Sequence, residues 1–202
     1  MLTRIFATIA LMLATSAVLA QAPAPNPVFR LRGSIESVAP GSVTLRERSG
    51  EVVTLALPDN TPLTEVVPIR LEDIQAGSFI GSAAMTRPDG SLEALEVLVF
   101  PESARGTGEG HYPWDLAPQS TMTNATVADL AVAPNGRTLK LKYKEGEKTL
   151  NVPTTVPVVT FKPGGSDLIV PGARVLINAQ VRDGKPTALR VLAGRNGVAP
   201  PM

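Results

Sequence analysis

The sequence contains no cysteine, a single histidine and a single tryptophan in 202 residues. Disulfides, haem-attachment motifs and cysteine-based zinc sites are excluded at once, and chemistry built on several imidazoles is excluded with them. Charge of one sign is also lacking: 19 Lys and Arg stand against 18 Asp and Glu. Duplex nucleic acid and anionic bilayers both call for clustered positive charge, so neither is an expected partner. Beyond the first 20 residues no apolar run approaches the ~20 residues that a spanning helix needs. What is plentiful is proline (19), glycine (17) and apolar residues (44%), a balance that suits a chain of many turns with a substantial core.

Residues 1–20 read as a targeting signal. Arg4 supplies the positive start, Ile5 to Leu13 form a short apolar run, and Val18-Leu19-Ala20 offers a cleavage site before Gln21. Pro23, Pro25 and Pro27 follow directly, in a Pro-rich mature start over 21–27. Cleavage would remove Arg4 and leave a formally neutral chain. With no cysteine after the apolar run to carry a lipid, the expected product is exported and periplasmic.

The rest of the chain repeats itself. Gly50-Glu51-Val52-Val53-Thr54-Leu55 reads against Gly146-Glu147-Lys148-Thr149-Leu150, and Asp89-Gly90 matches Asp183-Gly184. Ala94-Leu95-Glu96-Val97 likewise matches Ala188-Leu189-Arg190-Val191. Such order at nearly constant spacing defines two copies of one module, residues 28–100 and 121–194. They are joined by a connector over 101–120 and followed by a tail over 195–202.

Within each copy the apolar period is two, the signature of strands with one buried face. Leu139, Leu141 and Tyr143 alternate with Lys140, Lys142 and Lys144; Val43 and Leu45 alternate with Thr44 and Arg46. Turn residues at Ser49-Gly50 and Glu145-Gly146 close hairpins, and Asp89-Gly90 and Asp183-Gly184 close two more. Opening strands at Leu31 to Val38 and Ala125 to Leu130 bring each copy to five strands. A longer link, Pro58 to Gly77 or Pro153 to Gly172, separates the third strand from the fourth, with room for a helical turn at Leu71 to Ile74. Three meander strands, a link and a closing hairpin predict an all-β protein of two tandem five-stranded OB-like Greek-key barrels.

The opening Gly33-x-Ile35-x-x-Val38 and the stretch from Gly77 to Gly90 resemble exported bacterial domains of unknown function with OB-like barrels. Together with the connector PESARGTGEGHYPWDL, the chain is similar to a family of uncharacterised exported proteins with such domains in tandem. Some members of that family bear an automatically assigned description as metal ABC transport permeases. A permease needs several spanning helices, and only the removable leader here is apolar enough. The resemblance implies fold and location and carries no catalytic residue.

Chemistry, if present, is expected in the connector, which holds both His111 and Trp114. Arg105, Glu109, His111, Tyr112, Trp114 and Asp115 are the candidate ligand-binding residues, because side chains of this kind gain by docking against something. The competing structural reading is glue between the barrels, with Trp114 as apolar anchor and Arg105 paired to Glu102, Glu109 or Asp115. A metal site for copper or zinc would draw on His111, Glu109, Asp115 and Met122. His111, Trp114 and Met122 resemble the set used by small periplasmic copper chaperones of barrel fold, without that family's closely spaced Met pair. A hydrolase would set His111 beside Ser103 or Ser120 and Asp115, although no Gly-x-Ser-x-Gly elbow occurs. Gly106 to Gly110 lacks the Gly-Lys-Ser/Thr ending of a phosphate loop. Tyr143 among lysines is the one feature fit for nucleic acid, and the alternation turns it inward. The leading expectation is a non-enzymatic binding or scaffold module of the cell envelope that engages a protein, a glycan or a small ligand.

Overall fold

The computed structural model describes residues 26–200, so the expected leader lies outside the described residues. The chain is all-β: thirteen strands, three single turns of 3-10 helix and no α-helix among the described residues. In order the strands are β1 (Val28–Ala39), β2 (Ser42–Glu47), β3 (Val52–Ala56), β4 (Leu63–Pro68), β5 (Phe79–Thr86) and β6 (Leu92–Val99). They continue with β7 (Gly110–Pro113), β8 (Thr121–Ala133), β9 (Gly136–Tyr143), β10 (Gly146–Pro153), β11 (Val158–Pro163), β12 (Arg174–Arg182) and β13 (Lys185–Gly194).

The alternation sets the faces as the pattern predicts. In β9 Leu139 and Leu141 are fully buried while Lys140 and Lys142 are exposed, and in β2 Val43 and Leu45 are buried beside exposed Arg46. The helical turn expected in the first link is a 3-10 turn at Leu71–Asp73. Two glycines mark where strand backbones press together. A Cβ on Gly33 would lie 2.0 Å from the Arg46 carbonyl oxygen, and one on Gly136 would lie 2.0 Å from that of Val152. Only glycine permits that approach.

All thirteen strands belong to one continuous sheet, which closes twice on itself. In ring one β1, β2 and β3 run as a meander, β3 pairs in parallel with β13, and β12 pairs antiparallel with both β13 and β1. In ring two β8, β9 and β10 form the meander, β10 pairs in parallel with β6, and β5 pairs antiparallel with both β6 and β8. Each ring has its own apolar interior. Ring one is filled by side chains such as Ile35, Leu45, Leu55 and Ile177, and ring two by Ile80, Leu92, Leu139 and Leu150. At about 1.5–3 kcal/mol for each large apolar side chain withdrawn from water, these interiors supply the main driving force.

The pairing corrects the expectation that each copy closes its own barrel. The meander of residues 28–100 is closed by the hairpin of the second copy, and the hairpin of the first copy closes the second meander. The cause lies in the links. Each contains a strand absent from the sequence reading, β4 or β11, and these two pair antiparallel with Val66 opposite Phe161, its counterpart in the other copy. β4 then runs parallel to β13, and β11 parallel to β6, so that each link carries the chain across to the other ring. The alternation could not show this, because the two hairpins have the same period and either would fit either ring. A third apolar cluster, Val66, Leu98, Val159, Leu176 and Leu192, fills the junction.

Candidate functional site

The connector is built and held rather than loose. After Pro101 it makes a 3-10 turn at Glu102–Ala104. Arg105 donates to both oxygens of Glu102, at 2.5 and 2.7 Å, and to the Gly77 carbonyl at 2.8 Å. That answers which acid Arg105 pairs with: Glu102, three residues away and on the surface. Strand β7 then adds to β8, with His111 opposite Thr123 and Tyr112 opposite Met122. The loop after it is closed by the Trp114 amide donating to the Ser120 carbonyl at 2.8 Å. The Ser120 hydroxyl hydrogen is shared between the carbonyls of Ala117 (2.8 Å) and Trp114 (3.1 Å).

The predicted site residues separate into two groups. His111 lies on the ring-two side, its Nδ1 2.8 Å from the buried Thr123 hydroxyl and its ring stacked on Tyr143 with centroids 6.4 Å apart. Burial, and then the positive charge of Lys148, hold the imidazole below its usual pKa. Tyr112, Trp114 and Asp115 instead lead toward the junction. The Tyr112 ring meets Trp114 edge-on at 6.0 Å, and burial raises its phenol pKa against the lowering effect of Arg30. Asp115 accepts from Arg32 at 2.8 Å and from Arg30 at 3.4 Å, which ties the connector to β1. Burial pushes the Asp115 pKa up, but the hydrogen bond from Arg32 and the charges of both arginines outweigh it and hold the acid below its ordinary range.

The metal set is not assembled. Glu109 is exposed, Asp115 is engaged by arginines, Met122 is buried, and no group of three or more His, Asp or Glu able to hold a metal ion forms among the described residues. The hydrolase set is not assembled either, since Ser120 is spent on the Trp114 loop and Ser103 sits in the surface turn.

What the connector does complete is a cavity of about 170 Å³ at the junction, with Trp114 in its wall. Arg30 lies over the indole, its guanidinium carbon 4.1 Å from the ring centroid. Phe100 and Phe161, themselves in edge contact at 6.4 Å, form another part of the wall above Leu98, Leu176 and Leu192. Asn124, Asn178 and Arg190 complete it. Three of these side chains carry a buried polar atom with no hydrogen-bond partner in the protein: Trp114 Nε1, Asn124 Oδ1 and Asn178 Oδ1. A buried group in that state costs about 1–3 kcal/mol, and these three side chains all belong to the wall of one cavity.

No family model matches the chain, and no curated protein or solved structure matches it. The site is therefore read from its own geometry.

Trp114 and Asp115 were visible in the sequence because the connector is aperiodic and holds rare side chains. Arg30, Phe100, Phe161, Asn178 and Arg190 were not. Each sits in or beside a strand at a position that the alternation assigns to the outer face, where polar residues are unremarkable. Their meaning depends on two outer faces being packed together, which no local pattern encodes.

Proposed function

We propose that this chain is a non-catalytic binding protein of the cell envelope, exported to the periplasm, which holds a small ligand in the cavity between its two rings. The observation that carries the reading is the cavity itself, walled by Phe100, Trp114 and Phe161 with the guanidiniums of Arg30 and Arg190 beside the rings. A ligand site of this kind, mostly apolar with a few placed polar groups, is the usual form of a small-molecule pocket. At about 170 Å³ it suits a small molecule or one group of a larger one. Export rests on the leader-like residues 1–20. No helix among the described residues is long and apolar enough to cross a membrane.

We read each ring as an OB-like barrel with exchanged closing hairpins. Support comes from the strand order, a meander of three followed by a hairpin, and from the parallel pairing that closes each ring at the third meander strand. The likeness to exported proteins with tandem domains of this kind belongs to the same proposal. The test is a fragment screen by ligand-observed NMR on the wild-type chain and on Leu192→Phe, which fills the cavity. Fragments that bind the first and not the second support the reading. An empty screen, or one indifferent to the filled cavity, refutes it.

A further inference from the structure

The cavity wall divides by chemistry. Strand register puts Arg30 opposite Asn178, and Asn178 opposite Arg190. Directly opposed residues share a face of the sheet, so one row across three adjacent strands presents guanidinium, carboxamide, guanidinium. The two cations differ in their surroundings. Arg30 is tied to Asp115. Arg190 has no carboxylate partner among the described residues; its Nε and Nη2 reach only the Thr64 hydroxyl, at 3.3 and 3.2 Å, and its guanidinium lies 5.5 Å from the Phe161 ring centroid. Burial lowers its pKa from the usual value, yet a guanidinium remains charged at any physiological pH. A half-buried cation with no counter-ion is unfavourable until an anion joins it.

The repeat supplies an internal control. By the same registers the equivalent row in ring two is Met122, Ala83 and Glu96, with no cation in it. The fold thus forms without an arginine at this position, and Arg190 is a property of one half only. The remaining wall sets the body of the ligand. Phe100, Phe161, Leu176 and Leu192 are apolar, and a cavity of roughly 150 Å³ is enough for one benzene ring. Asn124 is fixed by its Nδ2 donating to the Thr107 carbonyl at 3.0 Å and the Tyr112 hydroxyl at 3.3 Å, with its Oδ1 packed against Gly81.

From this, and resting on the binding reading above, we infer that the ligand is a carboxylate on a compact apolar or aromatic body, its charge taken by Arg190 and its body held against Phe161 and Trp114. A carboxylate matches the planar fork of a guanidinium.

Trp114 is the only tryptophan and reports the cavity directly. Its emission would be followed while the full chain is titrated with phenylacetate, phenylacetamide and phenethylamine, three probes alike in body and different in charge. Phenylacetate is expected to saturate with a Kd at least tenfold below that of the amide, with no response to the amine. Arg190→Met should raise the phenylacetate Kd to that of the amide, and Arg190→Lys should restore part of the difference. Asn178→Asp, which is isosteric and sets a fixed carboxylate between the two guanidiniums, should abolish phenylacetate binding even if Arg190→Met fails to fold. Equal binding of acid and amide, or an Asn178→Asp protein that binds as the wild type does, overturns the carboxylate inference and leaves the cavity reading intact. Silence toward all three probes also overturns it, while the fragment screen with Leu192→Phe judges the cavity on its own.

Discussion

The two rings are alike inside and unlike where they face each other. Both interiors consist of aliphatic side chains at alternate strand positions, and both are closed by a parallel pairing to a borrowed hairpin. On the faces turned to the junction, ring one offers Arg30, Asn178 and Arg190, whereas the equivalent places in ring two are Met122, Ala83 and Glu96. The connector adds to the asymmetry, since β7 joins only ring two and the loop after it is tied to ring one through Asp115. The interiors show what the fold requires of any copy. The departures between copies show what it does not require, and that is where a function can be sought.

The largest effect should come from breaking either interior. Leu139→Ala in ring two and Leu45→Ala in ring one each remove a fully buried side chain, with an expected loss of about 2–5 kcal/mol. Because each ring is closed by the other copy's hairpin, both variants should unfold in one transition in urea. A second transition in either would contradict the exchange.

The next effect compares two tight strand contacts. Gly33→Ala should cost about 1–3 kcal/mol by overpacking against the β2 backbone. Gly136→Ala should cost more, because the same 2.0 Å clash is joined by a φ of +151° that L residues rarely adopt. Equal or negligible shifts in midpoint would show that the strands can separate locally.

Undocking the connector should matter less to stability. Trp114→Ala removes the stacking with Arg30, which is worth about 0.5–2 kcal/mol, and should expose Arg105 to faster tryptic cleavage without loosening the interior of either ring. Amide exchange checks this: protection is expected to fall in 101–120 and to hold in β2 and β9. Loss of protection throughout would mean that the connector is part of the core.

The smallest effect is set by pH. Since burial and Lys148 hold the His111 pKa down, the unfolded chain takes up the proton first on acidification. The contribution of the neutral ring is fully present above the ordinary pKa of 6.5 and is lost as pH falls through the lower folded value. His111→Asn should therefore flatten the decline of stability just below that pH. An NMR titration placing His111 at 6.5 would remove the effect, and one placing it above 6.5 would reverse the sign.

Much of the fold was legible because it depends on local period. Alternation at Val43, Leu45, Leu139 and Leu141 located strands and faces, and Asp89-Gly90 and Asp183-Gly184 located hairpins. The partner of each hairpin was not legible, because two copies with one pattern leave the choice to β4 and β11, whose short apolar stretches lie in links rich in proline. For the site, rarity and aperiodicity singled out Trp114, His111 and Asp115. The same signal grouped His111 and Asp115 with Glu109 and Met122 into one metal set, although adjacent positions on β7 project to opposite faces and the chain after His111 leads to the junction. Arg190 carries no signal of its own in the sequence, since an arginine in a strand that alternates reads as a solvated face.

The most direct test is a crystal structure of the wild-type chain grown with phenylacetate. The account predicts a ring in the cavity against Phe161 and Trp114, with the carboxylate within hydrogen-bond distance of Arg190 and Arg30 and Asn178 beside it. Phenylacetate bound elsewhere, or a cavity occupied by water alone at saturating ligand, would contradict it.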